Sequence, residues 1–156
     1  MSEKLKTLDE LTAITAKVKS TGKKIVLTNG CFDILHRGHV HLLREAKKYG
    51  DVLVVALNSD RSVKTIKGPT RPVLPQEERI ELIAAMEPVD YVVVFDEADP
   101  YEVISQLRPD VLAKGGDWSK DKIIGSDIVE QNGGTVAVIP YLKGFSSTEI
   151  IERIRN

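Results

Sequence analysis

Five short apolar runs, each separated from the next by a stretch with helical spacing, constrain this chain more than any other feature. They span residues 24–28, 52–57, 89–95, 111–114 and 135–139. The run 52–57 is apolar at every position, which marks a strand buried on both faces. Helical patterns fill the gaps. Residues 38–49 place Leu42, Leu43 and Ala46 on one face, and residues 75–86 repeat the device with Ile80, Leu82, Ile83 and Met86. A third helix has Asp99 as N-cap and Pro100 as first residue, and a fourth spans 122–131. Thr7 with Glu10 opens a helix near the start, and Ser146 with Glu149 opens one at the end, each as a capping box. Strands that alternate with helices pair in parallel and carry helices on both faces. The expected fold is therefore α/β, a Rossmann-like open parallel sheet of about five strands. We divide the 156 residues into an N-terminal helix, 1–23, and one core, 24–156.

Composition narrows the function by exclusion. A net charge of −1 offers no global field for a nucleic-acid backbone, and 5% aromatic residues leave little to stack on bases. One cysteine, Cys31, precludes an internal disulfide and a cysteine-rich zinc site. No apolar run is long enough to span a bilayer and the first residues lack the core of a signal peptide, so a cytoplasmic location away from membranes is expected. The segment 58–74 reads as a long loop rich in basic residues, Arg61, Lys64, Lys67 and Arg71, and a loop of that length in a small domain tends to be functional.

The chemistry concentrates in Thr28-Asn29-Gly30-Cys31-Phe32-Asp33-Ile34-Leu35-His36-Arg37-Gly38-His39, which leaves the first strand and enters the second helix. Gly30 permits an unusual turn, and Gly38 lets backbone approach a ligand. A helix start offers free N–H groups and a positive dipole, an anion site before any side chain is counted. His36 and His39 stand at that mouth as further donors. Chance gives a His-x-Gly-His in roughly 0.4% of such compositions, so its position after strand one carries the weight. Two histidines could also cap the helix or, with His41, hold a metal. His39 and His41 are two apart and face different ways on a helix, and no other ligand motif completes a set. Neither Gly-x-Gly-x-x-Gly nor a P-loop follows strand one, which disfavours a nicotinamide oxidoreductase or a P-loop kinase. Cys31 reads as a packing residue, because a nucleophile would need a base beside it.

These residues, with Ser146-Ser-Thr148 at the last helix, resemble the cytidylyltransferase-like nucleotidyltransferase superfamily over residues 24–156. Within it the chain is most similar to the adenylyltransferases that act on D-glycero-β-D-manno-heptose 1-phosphate. Supporting segments are Asn58-Ser-Asp60, Lys67-Gly68, Arg71-Pro72-Val73, Arg79, Lys114-Gly-Gly-Asp117, Gly125-Ser126 and Ser146-Ser-Thr-Glu-Ile150. The resemblance implies a catalytic set of His36, His39, Lys67 and Thr148. It implies a nucleotide site with Asn29, Gly30, Cys31, Phe32, Gly38, Lys114, Gly115, Asp117, Ser146 and Ser147 as well. Asp33, Asn58, Asp60, Arg71 and Arg79 are implied at the acceptor, with Arg79 near it or the phosphates. Lys64, three residues from Lys67, competes for the lysine role. Related glycerol-phosphate cytidylyltransferases carry an arginine where this chain has Tyr141, which counts against CTP.

The implied substrates are ATP and a sugar 1-phosphate, joined with release of pyrophosphate. The implied cofactor is Mg²⁺, held mainly by the nucleotide phosphates rather than by a protein metal site. A homodimer is expected, and a sugar kinase is expected on a separate chain. Other readings of the same residues are an FMN adenylyltransferase, a glycerol 3-phosphate cytidylyltransferase, or a module that binds ATP without turnover.

Overall fold

The structure, a computed structural model, describes residues 2–116 and 119–156. Five parallel strands form one sheet in the order β3-β2-β1-β4-β5. They are β1 (Ile25–Gly30), β2 (Val52–Asn58), β3 (Tyr91–Phe95), β4 (Val111–Gly115) and β5 (Thr135–Ile139). The expected Rossmann-like open sheet is what the chain forms. Strand order reverses at the β1–β4 seam, so the crevice for a ligand opens beyond the carboxyl ends of those two strands.

The helices are α1 (Leu8–Ser20), α2 (Arg37–Lys47), α3 (Asp60–Lys67), α4 (Gln76–Ala84), α5 (Tyr101–Leu107), α6 (Ser126–Gln131) and α7 (Ser147–Arg155). Alternation along β2 explains the two layers. Leu53, Val55 and Leu57 pack with Leu43 and Ala46 of α2 and Ile80 and Ile83 of α4. Val54 and Ala56 face the other way, onto Leu11 of α1, Val103, Ile104 and Leu107 of α5, and Val129 of α6. Just before α1, residues 4–6 add a bridge to the edge strand β3, with Lys6 N–H donating to Val92 O at 2.9 Å and Val92 N–H to Lys4 O at 2.9 Å. An exposed edge is thereby covered.

Three expectations need correction. The segment 58–74 is not one long loop, because α3 fills its first half. Ser59 caps that helix by accepting from Ser62 N–H, and Gly68 at φ +103 ends it. The helix is short and buries only one apolar side chain, Val63, so it shows no stripe in the sequence. The stretch 122–131 is broken: a single 3₁₀ turn, Lys120–Lys122, precedes α6, and Gly125 stands between them at φ +88. A Cβ there would meet Ile104 Cδ1 at 2.5 Å, so both the backbone and the neighbour call for glycine. Pro100 is the N-cap of α5 rather than its first residue, while Asp99 Oδ1 accepts from Tyr101 N–H.

Candidate active site

Two histidines face each other at the start of α2, just beyond the end of β1. Their rings stack with centroids 3.9 Å apart. His36 is the N-cap. Its Nδ1 accepts from Gly38 N–H at 3.1 Å, and His39 Nδ1 accepts from the His36 N–H at 3.3 Å. The pair is thus a capping box made from imidazoles, and capping does not compete with chemistry. Each ring spends Nδ1 on the backbone. The neutral tautomer that fits carries its proton on Nε2, leaving a second N–H on each ring for another partner. Burial lowers the pKa of both imidazoles, and His39, which also feels His36, is pushed down to about 4. At neutral pH the site holds two neutral N–H donors beside the positive dipole end of α2.

The surroundings fix these rings. Phe32 packs against His39 with centroids 5.1 Å apart, Phe145 stacks on His36 at 6.5 Å, and the Arg37 guanidinium lies over the Phe145 ring at 6.0 Å. The unusual backbone falls at Phe32, φ +48, and not at Gly30. Gly30 serves that ring instead, since a Cβ there would come within 2.9 Å of it. Gly38 likewise makes room for a side chain: its Cβ would meet the His36 ring at 2.9 Å. At both glycines, then, it is a neighbouring ring that occupies the place a Cβ would take.

The start of α7 joins the same mouth. Ser147 Oγ donates to Ile34 O at 2.8 Å, tying that helix to the β1–α2 connection. Ser146, not Thr148, is the cap, accepting from Glu149 N–H at 3.0 Å. Thr148 lies exposed in the first turn. Asn29, next to last in β1, is half-buried, as are Lys114 and Gly115 at the end of β4. Burial lowers the pKa of the Lys114 ammonium; Cys31 pulls it back up, and Lys67 pushes it further down. Burial pushes the Cys31 thiol up despite the nearby Lys67, Arg79 and Arg71, which keeps it a thiol and suits a packing role. The Lys67 charge is felt at both Cys31 and Lys114. Asp117 lies outside the described residues.

The five residues expected at the acceptor are brought together, but their polar atoms are turned on one another. Arg79 is fully buried. It donates to Cys31 O at 2.8 Å, Asn58 O at 2.7 Å, Leu74 O at 3.0 Å and Asp60 Oδ1 at 2.8 Å. It is enclosed, in contrast to the substrate-facing arginine expected from the sequence. Asn58 Nδ2 donates to Ser62 Oγ at 2.9 Å. Asp33, 1% exposed, accepts from Arg71 Nε at 2.6 Å and from Val73 and Leu74 N–H at 2.9 Å. Burial alone would raise its carboxyl, and these donors outweigh it and hold the pKa below the usual carboxylate range. Sequence reasoning did not find the Phe145 stack, the Ser147 tie or this enclosed network, since each depends on contacts distant in the chain.

The profile of the cytidylyltransferase-like family matches residues 27–153. The chain belongs to the cytidylyltransferase-like family. It is a nucleotidyltransferase. It is 50% identical over 151 residues to the bifunctional protein HldE of Geobacter sulfurreducens, covering 97% of this chain and 31% of that one. Similarity to the bifunctional protein HldE of Nitratiruptor is 49% over 154 residues, 99% of this chain and 32% of that one. The chain thus spans about a third of the length of the curated relatives it matches. Among solved structures, a lipopolysaccharide core biosynthesis protein from Thermoplasma volcanium is 31% identical, with a TM-score of 0.62 over 80% of this chain and all of that one. A pantoate-beta-alanine ligase from Francisella tularensis shares the fold at 16% identity, with a TM-score of 0.66 over 99% of this chain and 77% of that one.

Enzymes of this kind use Mg²⁺ in general. Among the described residues no cluster of three or more His, Cys, Asp or Glu side chains forms a cage for it. Among the described residues, the two carboxylates expected at the acceptor are already engaged, Asp33 with Arg71 and Asp60 with Arg79. With both carboxylates committed to arginines, these residues do not form a cage for an ion. Among the described residues, no helix is long and apolar enough to cross a membrane.

Proposed function

We propose that this protein is an adenylyltransferase that moves AMP from ATP to D-glycero-D-manno-heptose 1-phosphate, forming ADP-heptose and pyrophosphate. The observation that carries the chemistry is the imidazole pair: both Nδ1 atoms are held by backbone N–H groups, leaving two preorganised Nε2–H donors at a helix start. Similarity to bifunctional HldE proteins and to a lipopolysaccharide core biosynthesis protein supports the choice of acceptor. The acceptor phosphate is already an oxyanion at neutral pH, so the reaction needs no general base. One of its oxygens attacks the α-phosphorus in line, the bond from phosphorus to the β-bridging oxygen breaks, and pyrophosphate leaves with that electron pair.

In this reading His36 and His39 donate Nε2–H to the phosphate oxygens as charge shifts onto them. Thr148 and the first-turn N–H groups of α7 take the β- and γ-phosphates, and Lys67 closes over the chain of phosphates. Lys114, Gly115, Asn29 and the backbone of 30–32 border the nucleotide. The acceptor sits beyond the ends of β1 and β2, against the network of Asp33, Asn58, Asp60, Arg71 and Arg79. Catalysis is then alignment and electrostatic complementarity, for which alignment alone supplies about 7–11 kcal/mol. Mg²⁺ arrives on the nucleotide. A second copy of this chain and a sugar kinase remain the partners in this reading, and the cytoplasm the compartment.

The test is pyrophosphate release with Mg²⁺, crossing ATP and CTP against heptose 1-phosphate, glycerol 3-phosphate and FMN. Release confined to ATP with heptose 1-phosphate is expected. Release with another pair would keep the transfer and overturn the acceptor. ATP binding without release in any well would favour a sensing module.

A further inference from the structure

Asp33 belongs to the same connection that carries His36, yet both its carboxylate oxygens point across to residues 71–74. Arg71 Nε donates at 2.6 Å, Val73 N–H reaches both oxygens at 2.9 Å, and Leu74 N–H reaches Oδ1 at 2.9 Å. Two residues separate this segment from Gly68, whose N–H donates to Lys64 O and which follows Lys67, the last residue of α3. The other end of α3 is pinned as well. Asn58 Nδ2 donates to Ser62 Oγ, Ser62 Oγ donates to Glu97 O at 2.6 Å, and Asp60 takes Arg79 NH2. Lys67 therefore sits on a short span fixed on both sides, and the downstream fixing point is a side chain of the histidine-bearing connection.

We propose that Asp33 is a positioning residue for Lys67: by holding residues 71–74 to the β1–α2 connection, it sets the lysine at a fixed place relative to His36 and His39. The choice of residue follows from donor counting. Three N–H groups converge on Asp33, and a carboxylate offers two acceptor oxygens where asparagine offers one and presents an amide N–H group to the others. The proposal rests on the reading that Lys67 acts on the phosphates, and the test separates the two.

The experiment is a double-mutant cycle on kcat with Asp33→Asn and Lys67→Ala, with melting temperature and KM for ATP measured alongside. Asp33→Asn is expected to lower kcat at least tenfold in the native background and less than twofold when Lys67 is already alanine. Equal losses in both backgrounds would overturn the positioning role while leaving the lysine reading intact. No loss in Lys67→Ala alone would overturn both. If Asp33→Asn does not fold, Arg71→Gln keeps the carboxylate and its backbone donors, and the same cycle applies. Its effect is expected to be smaller and again to vanish without Lys67; a loss that persists there counts against the proposal. Faster amide exchange at Val73 and Leu74 in Asp33→Asn is expected as well, and unchanged exchange there would contradict the proposal.

Discussion

Two polar clusters flank the carboxyl ends of the central strands, and they spend their hydrogen bonds in opposite directions. At the start of α2, His36 and His39 each commit one ring nitrogen to the backbone and keep the other. At the ends of β1 and β2, Arg79 donates four hydrogen bonds to carbonyls and to Asp60, and Asp33 takes three N–H donors. The first arrangement leaves donors for a ligand. The second leaves geometry: it ties two strand ends, the start of α3 and residues 71–74 into one piece. Residue types alone do not separate these roles, because arginine, aspartate and histidine are all plausible ligands of a phosphate.

The comparison can be broken most forcefully at Arg79. Arg79→Met is expected to cost about 3 kcal/mol or more of stability, since it strands three carbonyls and removes the partner of Asp60. Urea unfolding measures it, and a native-like midpoint with lost activity would make Arg79 a ligand after all. His39→Ala should do the reverse, lowering turnover at least about 100-fold, the scale of a lost preorganised donor, while the chain stays folded. Steady-state kinetics beside circular dichroism decide it; near-native turnover would remove His39 from the chemistry.

A gentler test uses pH. The unfolded chain protonates histidine near 6.5, whereas folded His39 resists until about 4, so the unfolded state binds the extra proton in between. Stability is therefore expected to fall as pH drops from about 6.5 to about 4. Asp33, held low, extends the loss into more acid solution as the unfolded carboxyl protonates first. Urea midpoints at pH 7, 5 and 4 should show this slope, and His39→Gln should flatten its upper part. The smallest effect separates neighbours on α7. Ser146→Ala should cost about 1 kcal/mol as a lost cap, whereas Thr148→Ala should leave stability unchanged and weaken ATP binding. Calorimetry of both variants checks it, and an unweakened ATP affinity in Thr148→Ala would take Thr148 out of the phosphate site.

Much of the fold was legible because period and burial agree: β2 reads as buried on both faces and packs that way, and β5 spans the expected residues. The histidine pair was legible as an anion site from its place after strand one. The misreadings share a cause. α3 buries one apolar side chain and is held by Ser59 and Gly68, so hydrophobic spacing is silent about it. Gly30 reads as the site of an unusual turn, but only contacts between neighbours show that the turn falls at Phe32 and that Gly30 makes room for its ring. Arg79 reads as a residue near the acceptor or the phosphates, and its burial emerges only when the ends of β1 and β2 meet α4.

The most direct measurement is a long-range ¹H–¹⁵N spectrum of the histidine rings at neutral pH, before and after addition of ATP. Both His36 and His39 should appear as neutral Nε2–H tautomers in the free protein, and ATP should shift their Nε2 resonances. Nδ1–H tautomers, or Nε2 signals that ignore saturating ATP, would contradict the claim that this pair is the protein's outward-facing phosphate site.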